Sequence, residues 1–200
     1  MTRPDRQLER RQCGPCNVCC VDLKIVAPEL KKKARVPCPH LSGKGCGIYE
    51  ARPGVCRQFL CGWRLFEDMD DSWRPDRSGV LAMRRAPEEL PAAWKGAPYG
   101  MHMVILGGED AVMRPAFLAY VGKLMARGVP VFLSAASPYI LLNDHIEADS
   151  DPAHFKARLA ELHALVHASR FGQSLWKRLG FLYKLQIDRQ RQKFLRKSIG

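Results

Sequence analysis

The second half of the chain carries the clearest hydrophobic periodicity. Three short apolar runs, at residues 78–84, 101–106 and 129–133, predict buried strands. Between the last two, residues 110–127 place apolar side chains three or four positions apart, which predicts a helix that Gly128 ends. The pattern therefore predicts a strand–helix–strand unit whose strands are parallel or near neighbours.

The last quarter of the chain has a helical pattern. Asp151 is predicted to cap a helix in which Pro152 takes the first position. The apolar stripe that follows predicts a packing face and consists of Phe155, Leu159, Leu162 and Val166. His163 and His167, four residues apart, fit a solvated helix face better than a metal site, because no cysteine is near them in sequence.

A basic segment at residues 174–197 follows this helix. Its predicted apolar stripe is shorter and consists of Trp176, Leu179, Leu182 and Tyr183. The chain has a formal net charge of +12, and residues 170–200 hold nine Lys and Arg against one Asp. A solvated surface helix explains this charge most simply, while contact with nucleic acid, an acidic protein or an anionic membrane surface is the alternative.

The first third lacks such periodicity and contains all the cysteines. Glycines and prolines flank most of these cysteines, which is typical of loops around a metal. We therefore predict an α+β or small α/β fold with a loop-dominated metal lobe. The expected segments are a flexible tail at 1–12, a cysteine-cluster lobe at 13–62, an α/β region at 63–150 and C-terminal helices with a basic tail at 151–200.

Cysteine spacing defines the candidate chemistry. The eight candidate metal ligands are Cys13, Cys16, Cys19, Cys20, Cys38, Cys46, Cys56 and Cys61. The first three recur every third residue, and a turn at Gly14-Pro15 would direct several sulfurs at one centre. Because neighbouring side chains diverge in an extended backbone, we expect Cys19 or Cys20 to serve a second centre, to bridge, or to remain unliganded.

The cellular compartment decides whether these cysteines are metal ligands or form disulfides, because thiols stay reduced in the cytosol. The N-terminus has basic residues but no apolar stretch behind them, so we expect no secretory signal. The most apolar stretch, residues 129–142, is too short and too interrupted to predict a membrane span. We therefore expect a cytoplasmic protein, in which reduced cysteines serve as thiolate ligands.

Cations near the cysteines in sequence favour the thiolate form that a metal requires. They are Arg11, Lys44, Arg52 and Arg57.

Two other features that could bind a ligand are more simply explained without one. The Gly107-Gly108 turn is predicted to begin a helix capped by Asp110 rather than to bind phosphate, and His40 is a weaker candidate ligand than the cysteines.

The cysteine segment, residues 13–61, resembles a bacterial family of cysteine-cluster proteins with a CxxCxxCC motif, described as zinc- or iron-chelating. The resemblance rests on Cys13-x-x-Cys16-x-x-Cys19-Cys20, Cys38-Pro39-x-Leu41, and Cys46-x-Ile48-Tyr49-x-x-Arg52-Pro53-x-x-Cys56-Arg57-x-Phe59. It implies metal chelation by the cysteines. Flagellin lysine N-methylases look like distant relatives, which makes a cluster-dependent methyltransferase one alternative function; a basic, nucleic-acid-associated zinc module is another.

Zinc and iron remain alternative metals. Eight cysteines suffice for two closed zinc sites of four thiolates each, which would make the lobe structural. An iron–sulfur cluster also takes four cysteines, and the C-x-x-C-x-x-C run with a remote fourth cysteine is ferredoxin-like, although the usual Cys-Pro continuation is missing. We favour iron or an iron–sulfur cluster slightly over zinc.

Overall fold

The computed structural model describes residues 11–43, 45–135, 139–148, 150–168, 180 and 182–190. The fold is mixed α and β with small sheets, as the sequence predicts. The chain divides into two compact units, residues 1–83 and 84–200, and the cysteine segment lies in the first. None of the helices in the described ranges is long and apolar enough to cross a membrane.

The first unit is built from short elements. In chain order these are α1 (Val18–Asp22), β1 (Ile25–Ala27), β2 (Leu30–Lys32), β3 (Leu41–Ser42), β4 (Gly45–Cys46), α2 (Gly54–Gln58), α3 (Gly62–Leu65), a 3₁₀ turn (Asp71–Trp73) and α4 (Pro75–Ser78). Strands β1 and β2 form one antiparallel hairpin, and β3 and β4 form another. Elements this short bury little surface themselves. Half of the cysteines lie in these elements and half lie in loops outside them.

A small apolar core supports these loops. Its large buried side chains include Met69, Leu81, Trp63 and Trp73. Arg11 fastens the start of the described chain to this core, because its guanidinium donates to the backbone carbonyls of Trp63 and Met69. The segment that carries the first cysteines is therefore tied to the region that follows the last one.

The second unit contains longer elements. They are 3₁₀ turns (Pro87–Glu89, Ala92–Trp94 and Leu142–Asp144), β6 (Gly100–Ile105), α5 (Glu109–Met113), α6 (Pro115–Ala126), β7 (Val131–Ser134), β8 (Ile140–Leu141) and α7 (Pro152–Ala168). Strand β5 (Val80–Arg85) contains the boundary between the units. The four-stranded sheet has the order β5–β6–β7–β8.

The predicted strand–helix–strand unit is present. Strand β6 pairs in parallel with β7, with Met101 opposite Val131, and helices lie between them in sequence. Pro115 divides the predicted single helix into α5 and α6, because it forces Arg114 into an extended conformation (ψ 136°). The prediction that Asp110 caps this helix is wrong: the N-cap is Gly108, and Asp110 lies in the first turn.

Helix α7 confirms the predicted cap, since the Asp151 carboxylate accepts the His154 backbone N–H at 2.9 Å. The four residues of its predicted apolar stripe are buried. His163 is also buried, so its predicted place on a solvated face is wrong; it projects from the side of α7 that packs against α5.

Only part of the basic C-terminal segment lies within the described residues. Residues 182–190 are helical, whereas Trp176 and Leu179 fall outside the described ranges. Leu182 and Tyr183 are exposed, so these two members of the predicted stripe do not form a packing face here.

Candidate metal centre

One cavity in the first unit brings the cysteines together. All eight cysteine side chains line it, and its volume is about 360 Å³. Apolar side chains form much of the remaining wall, among them Leu23, Ile25, Leu30 and Phe59. All eight cysteines are free thiols. Residues spread over 49 positions in sequence therefore face one shared space.

The first four cysteines come from a turn and a helix. The Cys16 backbone N–H donates to the Cys13 carbonyl at 3.0 Å, and Gly14 supplies the positive φ of 54° that this turn requires. Cys19 and Cys20 lie in α1, not in extended backbone. Their thiols hydrogen-bond to each other. The expectation that the two side chains diverge is wrong for that reason.

Cys38 and Cys46 lie beside α1. The Cys38 backbone N–H donates to the Cys20 carbonyl at 2.9 Å, which joins the loop directly to α1. Cys46 lies in β4, opposite Leu41 of β3. The Leu41 N–H in turn donates to the Cys38 carbonyl at 2.9 Å, so a tight turn and a two-residue ladder separate Cys38 from Cys46.

The last two cysteines lie in, or directly before, a short helix. Cys56 lies in α2, whose first turn is held by Glu29, because this carboxylate accepts the Val55 N–H at 3.3 Å. Cys61 precedes α3 as its N-cap residue and is buried. The Arg64 guanidinium, one turn further on, donates to the Arg11 carbonyl at 2.7 Å. This bond holds the Cys61 region against the chain just before Cys13.

The thiol pair in α1 is electrostatically unequal. The hydrogen bond from Cys19, together with the positive charges of Lys32 and Arg52, lowers the pKa of Cys20 to about 6 despite burial. The same hydrogen bond, with burial and neighbouring negative charge, raises the pKa of Cys19. The pair at neutral pH is therefore one thiolate and one thiol donor.

Burial raises the pKa values of three further thiols. It raises the pKa of Cys61 to about 11, and repulsion from Cys13 and Cys16 adds to the rise. It also raises the pKa values of Cys16 and Cys56. These thiols ionise readily only when a cation arrives to compensate the charge, as a metal ion does.

Two cations lie close to the thiolate. Lys32 is buried, and its ammonium donates to the carbonyls of Val21, Leu23 and Lys33 around the end of α1. Arg52 stacks 3.6 Å above the Tyr49 ring and donates to its carbonyl at 2.7 Å. Sequence proximity identified Arg52 correctly, whereas Lys32 was not among the cations expected near the cysteines.

The other cations expected near the cysteines have different partners. Arg57 donates to the Arg52 carbonyl at 2.7 Å, and Arg11 donates to the backbone carbonyls of Trp63 and Met69. Lys44 lies outside the described residues. His40 lines the cavity, which places it beside the cysteines but does not make it a ligand.

The sulfurs surround the cavity without converging on one point. Across the described ranges, no group of three or more His, Cys, Asp or Glu side chains is placed to hold a single metal ion. A closed zinc site with Zn–S bonds of about 2.3 Å needs its four sulfurs about 3.8 Å apart. Eight thiols around one open space are a donor set of the kind that thiolate-bound metals and clusters take.

A serine–histidine pair in the second unit was not recognised from the sequence. His102 Nε2 lies 2.8 Å from Ser134 Oγ, and both residues are on adjacent strands, β6 and β7. Burial and the Arg85 charge lower the pKa of His102 to about 4. Arg85 lies 3.5 Å from His102 Nδ1, where a catalytic triad would have a carboxylate, so the pair is suited to structural bonding.

Comparison with known proteins does not assign this chain to a family. No protein-family model, no curated protein and no solved structure matches this chain. The similarity to CxxCxxCC proteins therefore stays a prediction from the cysteine motif, and the geometry of the cavity is the main evidence on function.

Proposed function

We propose that this protein binds metal through its cysteine segment, as iron, an iron–sulfur cluster or zinc. One observation carries the proposal: all eight cysteines line a single cavity of about 360 Å³. Thiolates are the preferred ligands of zinc and of iron–sulfur clusters, and eight of them around one space form a donor set for such a cofactor.

Electrostatics supports the same function. Bringing eight thiolates together without a cation is costly, because burial disfavours each charge and the charges repel one another. The raised pKa values of Cys16, Cys56 and Cys61 express this cost in the metal-free lobe. A bound metal neutralises the thiolates and releases their protons, so metal binding and folding of the lobe are coupled.

The cavity favours an iron–sulfur cluster over single zinc ions. Its volume is much larger than one ion needs, and its wall is largely apolar, which protects a cluster from water. When bound, such a cluster supplies electron transfer. The contribution of this chain is to hold the ligands on short, loop-dominated elements and to place Lys32 and Arg52 beside the thiolates.

Chelation tests this function. Protein purified without oxygen is treated with a chelator in the presence of a thiol reductant, and amide hydrogen exchange is compared before and after treatment. We expect residues 13–61 to lose protection and to regain it when metal is returned, whereas strands β6 and β7 provide the internal control. Unchanged protection in protein shown to be metal-free contradicts the proposal.

A further inference from the structure

The described part of the C-terminal helix, residues 182–190, is held to the second unit on one side. Asp188 accepts hydrogen bonds from the Arg158 guanidinium and from His145 Nδ1. Leu185, three positions before Asp188 and therefore on the same side of the helix, is half-buried. These contacts determine which side of the helix faces the unit and which side faces away from it.

The side that faces away exposes apolar side chains. Tyr183 and Ile187 are 66% and 47% exposed, and their spacing of four places them on one face. Leu182, at the edge of that face, is 52% exposed. We call these three residues the outer stripe. Six large apolar side chains are exposed among the described residues, and half of them lie in this one stripe of six positions.

Positive charge accompanies the outer stripe. Lys184 lies within it in sequence and is exposed. Residues 170–200 hold nine Lys and Arg against a single acid, Asp188. Because the Asp188 carboxylate accepts the bonds from Arg158 and His145, it lies on the side that faces the unit. Within residues 182–190, the outer side therefore combines apolar and basic side chains and carries no acid.

An anionic lipid surface complements both properties. The apolar side chains of an amphipathic helix enter the boundary between headgroups and acyl chains, while Lys and Arg attract anionic headgroups. A tyrosine ring suits this boundary because it has an apolar body and a polar end. Duplex nucleic acid would use the basic charge, but its phosphate backbone offers little contact to exposed apolar side chains.

We propose that residues 182–190 dock the second unit onto an anionic lipid surface, with Leu182, Tyr183 and Ile187 in the bilayer interface and Lys184 at the headgroups. The bonds of Asp188 keep the apolar side turned outward for this contact. The proposal is independent of metal binding, because the cysteines belong to the other unit.

The test measures co-sedimentation of the full chain with two kinds of vesicle, phosphatidylcholine alone and phosphatidylcholine mixed with phosphatidylserine. We expect binding only to the mixed vesicles, and we expect it to weaken as salt is raised, because salt screens the attraction of basic residues to the headgroups. Lys184→Ala should weaken binding about fivefold, since it removes one cation from the surface.

Substitutions in the outer stripe separate lipid contact from charge alone. Tyr183→Ser/Ile187→Ser should weaken binding to the mixed vesicles by about tenfold or more, because it removes apolar surface that enters the bilayer. The matched control, Tyr183→Phe/Ile187→Leu, keeps that surface and should bind like wild type. Both positions are exposed, so urea unfolding should show wild-type stability for the two double variants.

Two results with vesicles overturn the proposal. One is wild type that does not sediment with the mixed vesicles, and the other is a serine double variant that binds them as tightly as wild type. A short DNA duplex at the same salt concentration is the comparison. Protein that binds the duplex but not the vesicles assigns the basic segment to nucleic acid and also overturns the proposal.

Discussion

The contact between Cys19 and Cys20 controls the ionisation of both thiols. The Cys19 thiol is the donor that stabilises Cys20 as a thiolate. Lys32 and Arg52 add positive charge, so the pair holds one thiolate at neutral pH. Under the proposed function, this thiolate is where a metal first attaches.

Cys20 is therefore expected to react first with iodoacetamide in the reduced, metal-free protein. Because its folded pKa is lowered to about 6, its alkylation should rise through that pH and be nearly complete at pH 7, whereas Cys61, with a pKa raised to about 11, should not react there. Peptide mass spectrometry after timed alkylation between pH 5 and pH 9 measures both.

Two substitutions of Cys19 separate the hydrogen bond from the nearby charges. Cys19→Ala removes the donor, so the midpoint for Cys20 should move up toward the ordinary thiol pKa of about 8.5. Cys19→Ser keeps a hydroxyl donor and should move it less. Identical profiles in wild type and Cys19→Ala would show that the hydrogen bond does not set the reactivity of Cys20.

At the scale of single residues, the sequence predicted that the cysteines act together but did not predict their surroundings. Cysteine spacing and the flanking glycines and prolines indicated loops around a metal, and all eight cysteines do line one cavity. The helical conformation of residues 18–22 was missed, because five residues are too few to show periodicity. The role of Lys32 depends on burial, which a run of three lysines does not predict.

At the scale of elements, apolar patterning predicted the second unit well. The three strands begin and end within two residues of the predicted ranges, and β5 and β7 each start two residues late, at Val80 and Val131. Parallel pairing of β6 with β7 also follows the prediction. The break at Pro115 was missed, although a proline restricts the residue before it, because the apolar pattern continues through it.

Two glycines of the second unit test this packing in opposite directions. At Gly100, a Cβ atom would lie 2.6 Å from Leu90 Cδ2 and 3.0 Å from Phe132 Cε2, so Gly100→Ala should lower the free energy of unfolding by about 1 to 3 kcal/mol. At Gly122, inside α6, no atom lies within 4 Å, so Gly122→Ala should raise it by about 0.5 to 1 kcal/mol. Urea unfolding measures both; a stabilising Gly100→Ala would contradict the packing described for β6.

A charged network joins the described C-terminal helix to the rest of the second unit. Asp188 accepts two hydrogen bonds from Arg158, each 2.9 Å long, and one from His145 Nδ1 at 2.5 Å. Arg189 pairs with Asp144 at 3.1 Å. Part of the basic segment therefore serves a structural purpose, and its charge is not all available to an external partner.

Asp188→Ala should lower the free energy of unfolding by about 1 to 3 kcal/mol, because it leaves the buried His145 without its acceptor and removes one of the two carboxylates that Arg158 contacts. Glu161→Ala removes another carboxylate partner of Arg158, but one that is exposed, so its effect should stay below about 0.5 kcal/mol. Thermal or urea unfolding compares the two. Equal effects would mean that the network does not hold the C-terminal helix.

At the scale of the whole molecule, the two compact units differ in what stabilises them. Long apolar elements bury the core of the second unit, including Phe117, Phe132 and Leu159. The first unit has short helices, two-stranded hairpins and a cavity in its cysteine segment. Small units with few buried side chains commonly depend on a metal for stability. Every cysteine lies before residue 62 and so belongs to the first unit. The predicted end of the cysteine lobe, at residue 62, differs from the boundary between the units, which follows Met83.

The central claim is that the cysteine segment binds metal, and the most direct test is the metal content of the full chain purified without oxygen. Mass spectrometry of bound metals is combined with acid-labile sulfide and the visible absorption spectrum. We expect iron with sulfide and a brown chromophore, or zinc in colourless protein. Protein that contains neither metal and takes up neither on reconstitution would contradict the account.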